Sequence, residues 1–128
     1  MKEKIEAVKA FHKAYKLDFR ETPKANLGVH KNMLRYKLMR EENEEYLEAS
    51  NGDDLVEVAD ALGDMLYILC GTIIEHGLQH KIDEVFTEIQ RSNMSKLGAD
   101  GEPIYREDGK VLKGPNYFKP HIAEILQK

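Results

Sequence analysis

Apolar residues recur at helical spacing through most of the first 95 positions. Ile5, Val8, Phe11 and Tyr15 predict a first helix over about residues 3–17. The stretch Glu21–Gly28, punctuated by Pro23 and Gly28, reads as a loop. A second helix is expected from about His30 to Ala49, with Asn51–Gly52 as its C-terminal turn. Asp53 or Asp54 then caps a third, strongly apolar helix that runs to about His76 and stops at Gly77. A fourth helix, about Lys81 to Met94, follows a very short turn. Short connections favour antiparallel neighbours, so the pattern predicts an all-α, antiparallel four-helix core.

From Lys96 onward the pattern changes. Gly98, Gly101, Pro103, Gly109, Gly114, Pro115 and Pro120 break any helical period. Pro103–Gly114 fits a small hairpin about Asp108–Gly109, and a short helix near Ile122–Gln127 closes the chain. The expected organisation is a single domain over 1–128, with a helical core over about 3–95 and an irregular tail over about 96–128.

Composition narrows the class. The 128 residues are 41% hydrophobic and 33% charged, which fits a folded globular chain. No apolar run reaches the roughly 20 residues of a membrane span, and the N-terminal segment lacks a secretory apolar core. The single cysteine, Cys70, excludes an internal disulfide and a cysteine-rich zinc site. A cytoplasmic, reduced setting is the resulting expectation, with no membrane partner.

Charge sharpens the picture further. The net charge of −4 conceals a stretch, Glu41–His80, with eleven acids and no Lys or Arg. Ordinary solvated helices mix signs, because opposite charges at i,i+4 support them. An unmixed acidic block calls for a cation or a basic partner. On a helical wheel with Leu34 at zero, Leu38 falls at about 40° and Ala49 at about 60°. Glu41, Glu45 and Glu42 fall at about −20°, 20° and 80°, on the same arc, and Arg35 borders it. On the third helix Glu57, Asp60, Asp64 and, further along, Glu75 form a narrow acidic stripe, with Gly71 in line. Carboxylates that face a core are costly unless paired or liganded. Two such helices make an all-oxygen site suited to Mg²⁺ or Mn²⁺. Glu42, Glu45, Glu57, Asp60 and Asp64 are the candidate metal ligands. Glu41 is a candidate base, beside Glu42 and Glu45. A di-iron bundle is disfavoured because no His has a Glu three residues before it. Nucleic-acid binding is disfavoured by the acidic centre and scattered bases.

The residues resemble a known superfamily at this point. Glu41-Glu42-Asn43-Glu44-Glu45 is similar to the EExxE signature of the all-α nucleoside triphosphate pyrophosphohydrolases. These comprise MazG proteins, dimeric dUTPases and phosphoribosyl-ATP pyrophosphohydrolase. Glu57-Val58-Ala59-Asp60 supplies the ExxD pair, and Ala61–Leu78 resembles the segment around the family's metal-binding aspartate, with Asp64 before Met65-Leu66-Tyr67. Three residues before Asp64 stands Ala61, where the common pattern has Glu, so Asp60 or Glu57 would substitute. Phe11–Tyr15 resembles the FHxxF opening of MazG-like proteins. Arg91–Leu97 and Asp100–Tyr117 resemble the tail of a MazG-like subgroup.

The resemblance implies a Mg²⁺-dependent enzyme (or one using Mn²⁺) that cleaves a nucleoside triphosphate between the α and β phosphates. The products would be a nucleoside monophosphate and pyrophosphate. It further implies a homodimer or homotetramer. The substrate phosphates would need cations, for which Arg91, Lys96, Lys110 and Lys113 are candidates, the tail folding as a lid. Asn93 and Asn116 are candidates for the base or sugar. Two alternatives remain: phosphoribosyl-ATP as the substrate, and a nonenzymatic helical module whose acidic face binds a basic partner.

Overall fold

The computed structural model describes all 128 residues. It contains five helices: α1 (Lys2–Ala14), α2 (Val29–Asn51), α3 (Leu55–Glu75), α4 (Ile82–Met94) and α5 (Ile122–Leu126). The four expected core helices all form, and the chain is all-α. It divides into two compact units, Met1–His80 and Lys81–Lys128. Helix α4 therefore groups with the tail. No helix is long and apolar enough to cross a membrane.

In the first unit α3 is the central element, packed against both α1 and α2. Helix α1 buries Ile5, Val8 and His12, one face at i, i+3 and i+7. It ends at Ala14, earlier than expected, because Lys16 turns left-handed at φ 57°. The amides of Lys16 and Leu17 then close on the carbonyls of Lys13 and His12. Helix α2 ends the same way, with the left-handed residue at Asp53 (φ 54°), while Gly52 stays at φ −84°. The turn expected at Asn51–Gly52 is therefore one residue later, and aspartate tolerates that conformation. Asp54 caps α3 by accepting a hydrogen bond from the Glu57 amide at 3.2 Å.

Helix α3 stops at Gly77, where φ is 71°. A Cβ on Gly77 would lie 2.1 Å from the Thr22 carbonyl oxygen, so the position demands glycine twice over. The closeness arises because the α1–α2 loop is tied to the end of α3. The Arg20 and Lys24 amides donate to the carbonyls of Ile74 and His76, and the Gln79 side chain donates to the Arg20 carbonyl.

The face that α2 turns to α3 differs from the expected arc. The residues withdrawn from solvent are Lys31, Arg35, Leu38, Met39, Glu42, Tyr46 and Ala49, whereas Leu34 is 47% exposed. The true face is thus rotated toward Arg35 and Glu42. Glu41 falls outside it and Glu45 sits on its edge, both exposed. Helix α3 is less enclosed than its composition implies. Leu55, Leu62, Leu66 and Leu69 remain exposed along one side.

In the second unit the tail folds on α4. The Ser92 hydroxyl donates to the Phe118 carbonyl, and the His121 amide donates to Glu88. The expected hairpin is a single antiparallel bridge between Tyr105 and Val111, turning at Gly109. Helix α5 contributes Ile125 to the interior.

Candidate active site on the acidic face

Glu42 occupies the centre of the α2 face that meets α3. Its Oε2 is buried and has no hydrogen-bond partner. Its pKa is raised to about 7, first by burial and then by the neighbouring carboxyl groups of Glu45, Asp64 and Asp60. Three of the other candidate ligands, Glu45, Asp60 and Asp64, therefore act on Glu42. None of Glu42, Glu45, Glu57, Asp60 and Asp64 takes part in an ion pair with Lys, Arg or His.

The fifth ligand, Glu57, lines a cavity of about 530 Å³ together with Glu45, Glu48, Asp54, Ala49 and Gly52. This cavity opens at the turn between α2 and α3. The carboxylates are aligned along the two facing helices rather than gathered. No three acidic, His or Cys side chains converge as a metal shell. The donor set is nonetheless all oxygen, and the orphaned Glu42 oxygen lacks a positive partner. Both features fit a hard divalent cation.

Glu75, at the far end of the acidic stripe, has a different fate. It is 4% exposed and pairs with Arg35 (2.9 Å) and Lys31 (3.2 Å). Eleven residues of helix, about 16 Å, separate it from Asp64. It belongs to a neutralised cluster and not to the open acidic face. Sequence reading missed this cluster of His12, Lys31, Arg35 and Glu75. The signal was present in Arg35 bordering the wheel arc and in Gly71 on the acidic stripe. A second cavity, of about 300 Å³, lies beside Glu75 and is lined by Arg20, Lys24, Lys31 and Phe19 among others.

The proposed substrate contacts all lie in the second unit. Arg91 forms two hydrogen bonds to Glu88, at 2.8 and 3.0 Å, and lies 4.3 Å from the Phe118 ring centre. Glu88 is held down at about pKa 2, chiefly by Arg91 and then by the His121 amide. The Lys113 ammonium sits 4.7 Å from the Tyr117 ring centre. Lys110 follows the Arg106–Asp108 ion pair and donates its amide to Asp108. Asn93, Lys110, Lys113 and Asn116 are exposed, and Lys96 is half-buried.

Comparison with known proteins gives this arrangement a context. No curated protein matches the chain. Among solved structures, a candidate NTP pyrophosphohydrolase from Exiguobacterium sp. 255-15 is 24% identical. The superposition covers 97% of this chain and 94% of that one, with a TM-score of 0.53. At that identity the likeness establishes the all-α fold. The model of the family described as phosphoribosyl-ATP pyrophosphohydrolase matches residues 8–93, which include α2, α3 and every candidate metal ligand. The chain therefore belongs to the phosphoribosyl-ATP pyrophosphohydrolase family, a family of pyrophosphate-releasing hydrolases.

Proposed function

We propose that the protein is a Mg²⁺-dependent nucleoside triphosphate pyrophosphohydrolase, with Mn²⁺ as a substitute. Water hydrolyses the anhydride between the α and β phosphates, and monophosphate and pyrophosphate leave. The observation that carries the reading is the buried, unpartnered Glu42 oxygen among Glu45, Asp60 and Asp64, with no basic side chain to balance them. Glu42, Glu45, Asp60 and Asp64 would hold the cation, with Glu57 on the cavity side. Held by these carboxylates, a divalent cation would supply positive charge to offset the charge that develops on the attacked phosphate.

The chain's own groups supply the rest. An exposed carboxylate at the margin of this face, Glu41 just outside it or Glu45 on its edge, takes the proton released by water. Lys96 and Lys110 are the proposed phosphate partners, with Arg91 and Lys113 beside them in sequence order. Asn93 and Asn116 are the proposed nucleoside contacts. The exposed leucines of α3 support a homo-oligomer in which a second copy covers them.

Incubation with a nucleotide panel and Mg²⁺, Mn²⁺ or EDTA tests the proposal. Metal-dependent monophosphate and pyrophosphate are expected. Diphosphate with orthophosphate would overturn the cleavage position. The family match over residues 8–93 favours a second reading, phosphoribosyl-ATP as substrate. Pyrophosphate released from phosphoribosyl-ATP and from no simple nucleotide would select it.

A further inference from the structure

The Arg35 guanidinium makes three contacts, all to α3. Its Nε donates to Thr72 Oγ1 at 3.0 Å, one Nη donates to the Ile68 carbonyl at 2.9 Å, and the other lies 2.9 Å from Glu75 Oε2. These partners span two turns of α3. The side chain is 10% exposed. Gly71 lies in the middle of the set. A Cβ there would stand 2.7 Å from the Arg35 Nη2 and 3.0 Å from His12 Nε2. The missing side chain is therefore the cradle that admits the guanidinium.

The helices are antiparallel, so a step forward on α2 is a step back on α3. Arg35 is centred on Gly71. Glu42 lies seven residues later and consequently falls opposite the position seven before Gly71, which is Asp64. The electrostatics agree, since Asp64 and Asp60 act on Glu42. A helix slid by one residue moves its side chains by about 1.5 Å. A cation's ligand distances tolerate only about 0.2 Å. Apolar contacts alone fix such a slide weakly, whereas a planar fork with three partners fixes it in direction as well as distance.

We propose that Arg35 is a positioning residue. It sets the register of α2 on α3, and so the spacing of Glu42 from Asp60 and Asp64, a role that rests on the cation-site reading above. Buried ionic groups are best attested in this register-setting use, and their replacement by apolar residues often preserves stability.

The test compares wild type, Arg35→Lys and the double variant Arg35→Met/Glu75→Met. The readouts are melting temperature, Mn²⁺ affinity of the metal-free protein and kcat for pyrophosphate release. The double variant is expected to fold with a melting temperature near the wild-type value. Its Mn²⁺ affinity should fall by about 10–100-fold, as for other residues that orient ligands, with kcat falling alongside. Arg35→Lys keeps the charge opposite Glu75 but loses the fork, and should lose at least about tenfold as well. Should the double variant fail to fold, that lysine variant decides the matter. A folded variant with wild-type Mn²⁺ affinity and kcat would overturn the positioning role. Wild-type protein that neither binds Mn²⁺ nor releases pyrophosphate would instead remove the cation site, and the positioning role with it.

Discussion

At Glu42, burial and like charge act in the same direction. The folded pKa of about 7 lies above the ordinary 4.5. Folded protein thus holds a proton that unfolded protein has released between those values. Glu42 contributes stability below about pH 4.5 and loses it as pH rises through about 7. Metal-free protein should therefore melt at lower temperature at pH 7.5 than at pH 5.5. Glu42→Gln should flatten that dependence in parallel melts. Cation binding must displace the same proton, so Mn²⁺ should bind more tightly at pH 8 than at pH 6. Glu42→Gln and Asp64→Asn should each abolish pyrophosphate release while leaving the far-UV circular dichroism and the cooperative melt intact. Full activity in both would remove the proposed site. The candidate carboxylates were legible as a set in the sequence. Their ranking was not, because it depends on which one the helix rotation carries inward.

Each helix of the first unit stops where one residue turns left-handed. Lys16, Asp53 and Gly77 hold these places. Of the three, only Gly77 also has a neighbouring backbone where a side chain would stand. Gly77→Ala should cost about 1–3 kcal/mol in urea unfolding, from the left-handed backbone alone or with displacement of the Thr22 loop. In the second unit Glu88 joins α4 to the tail through Arg91 and the His121 amide. Its pKa is lowered to about 2, so its contribution is present above about pH 4.5 and lost as pH falls toward 2. Protection of the His121 amide, relative to its intrinsic exchange rate at each pH, should fall over that acid range in wild type. In Glu88→Gln it should already be low at pH 7. Helix identity and most helix ends were legible because capping residues and apolar spacing are local. The end of α1 was misplaced by three residues because nothing in the sequence marks Lys16 as left-handed.

Across the whole molecule, one side of α3 carries more apolar surface than this chain covers. Leu55, Leu62, Leu66 and Leu69 stand exposed along α3. Under the oligomer proposed above, Leu62→Glu with Leu66→Glu should shift the species seen by light scattering toward a single chain. An unchanged mass in a folded variant would place the interface elsewhere. The same surface explains why α3 read as a buried helix from composition: its apolar positions were counted correctly, but the chain by itself does not cover them.

The sequence by itself determined the all-α class, the five helical segments and the acidic block, together with the family resemblance. These follow from spacing, capping chemistry and residue type, all of which act over a few neighbouring positions. Tertiary structure alone decided the rotation of α2. Its inner face is unusually polar, carrying Lys31, Arg35 and Glu42, so hydrophobic periodicity could not locate it. Arg35 is drawn inward by Thr72, the Ile68 carbonyl and Glu75, partners some 33 to 40 residues away that exist as a set only once α3 lies antiparallel beside it. That rotation brings Glu42 into the interface, leaves Glu41 in solvent and removes Glu75 from the acidic face.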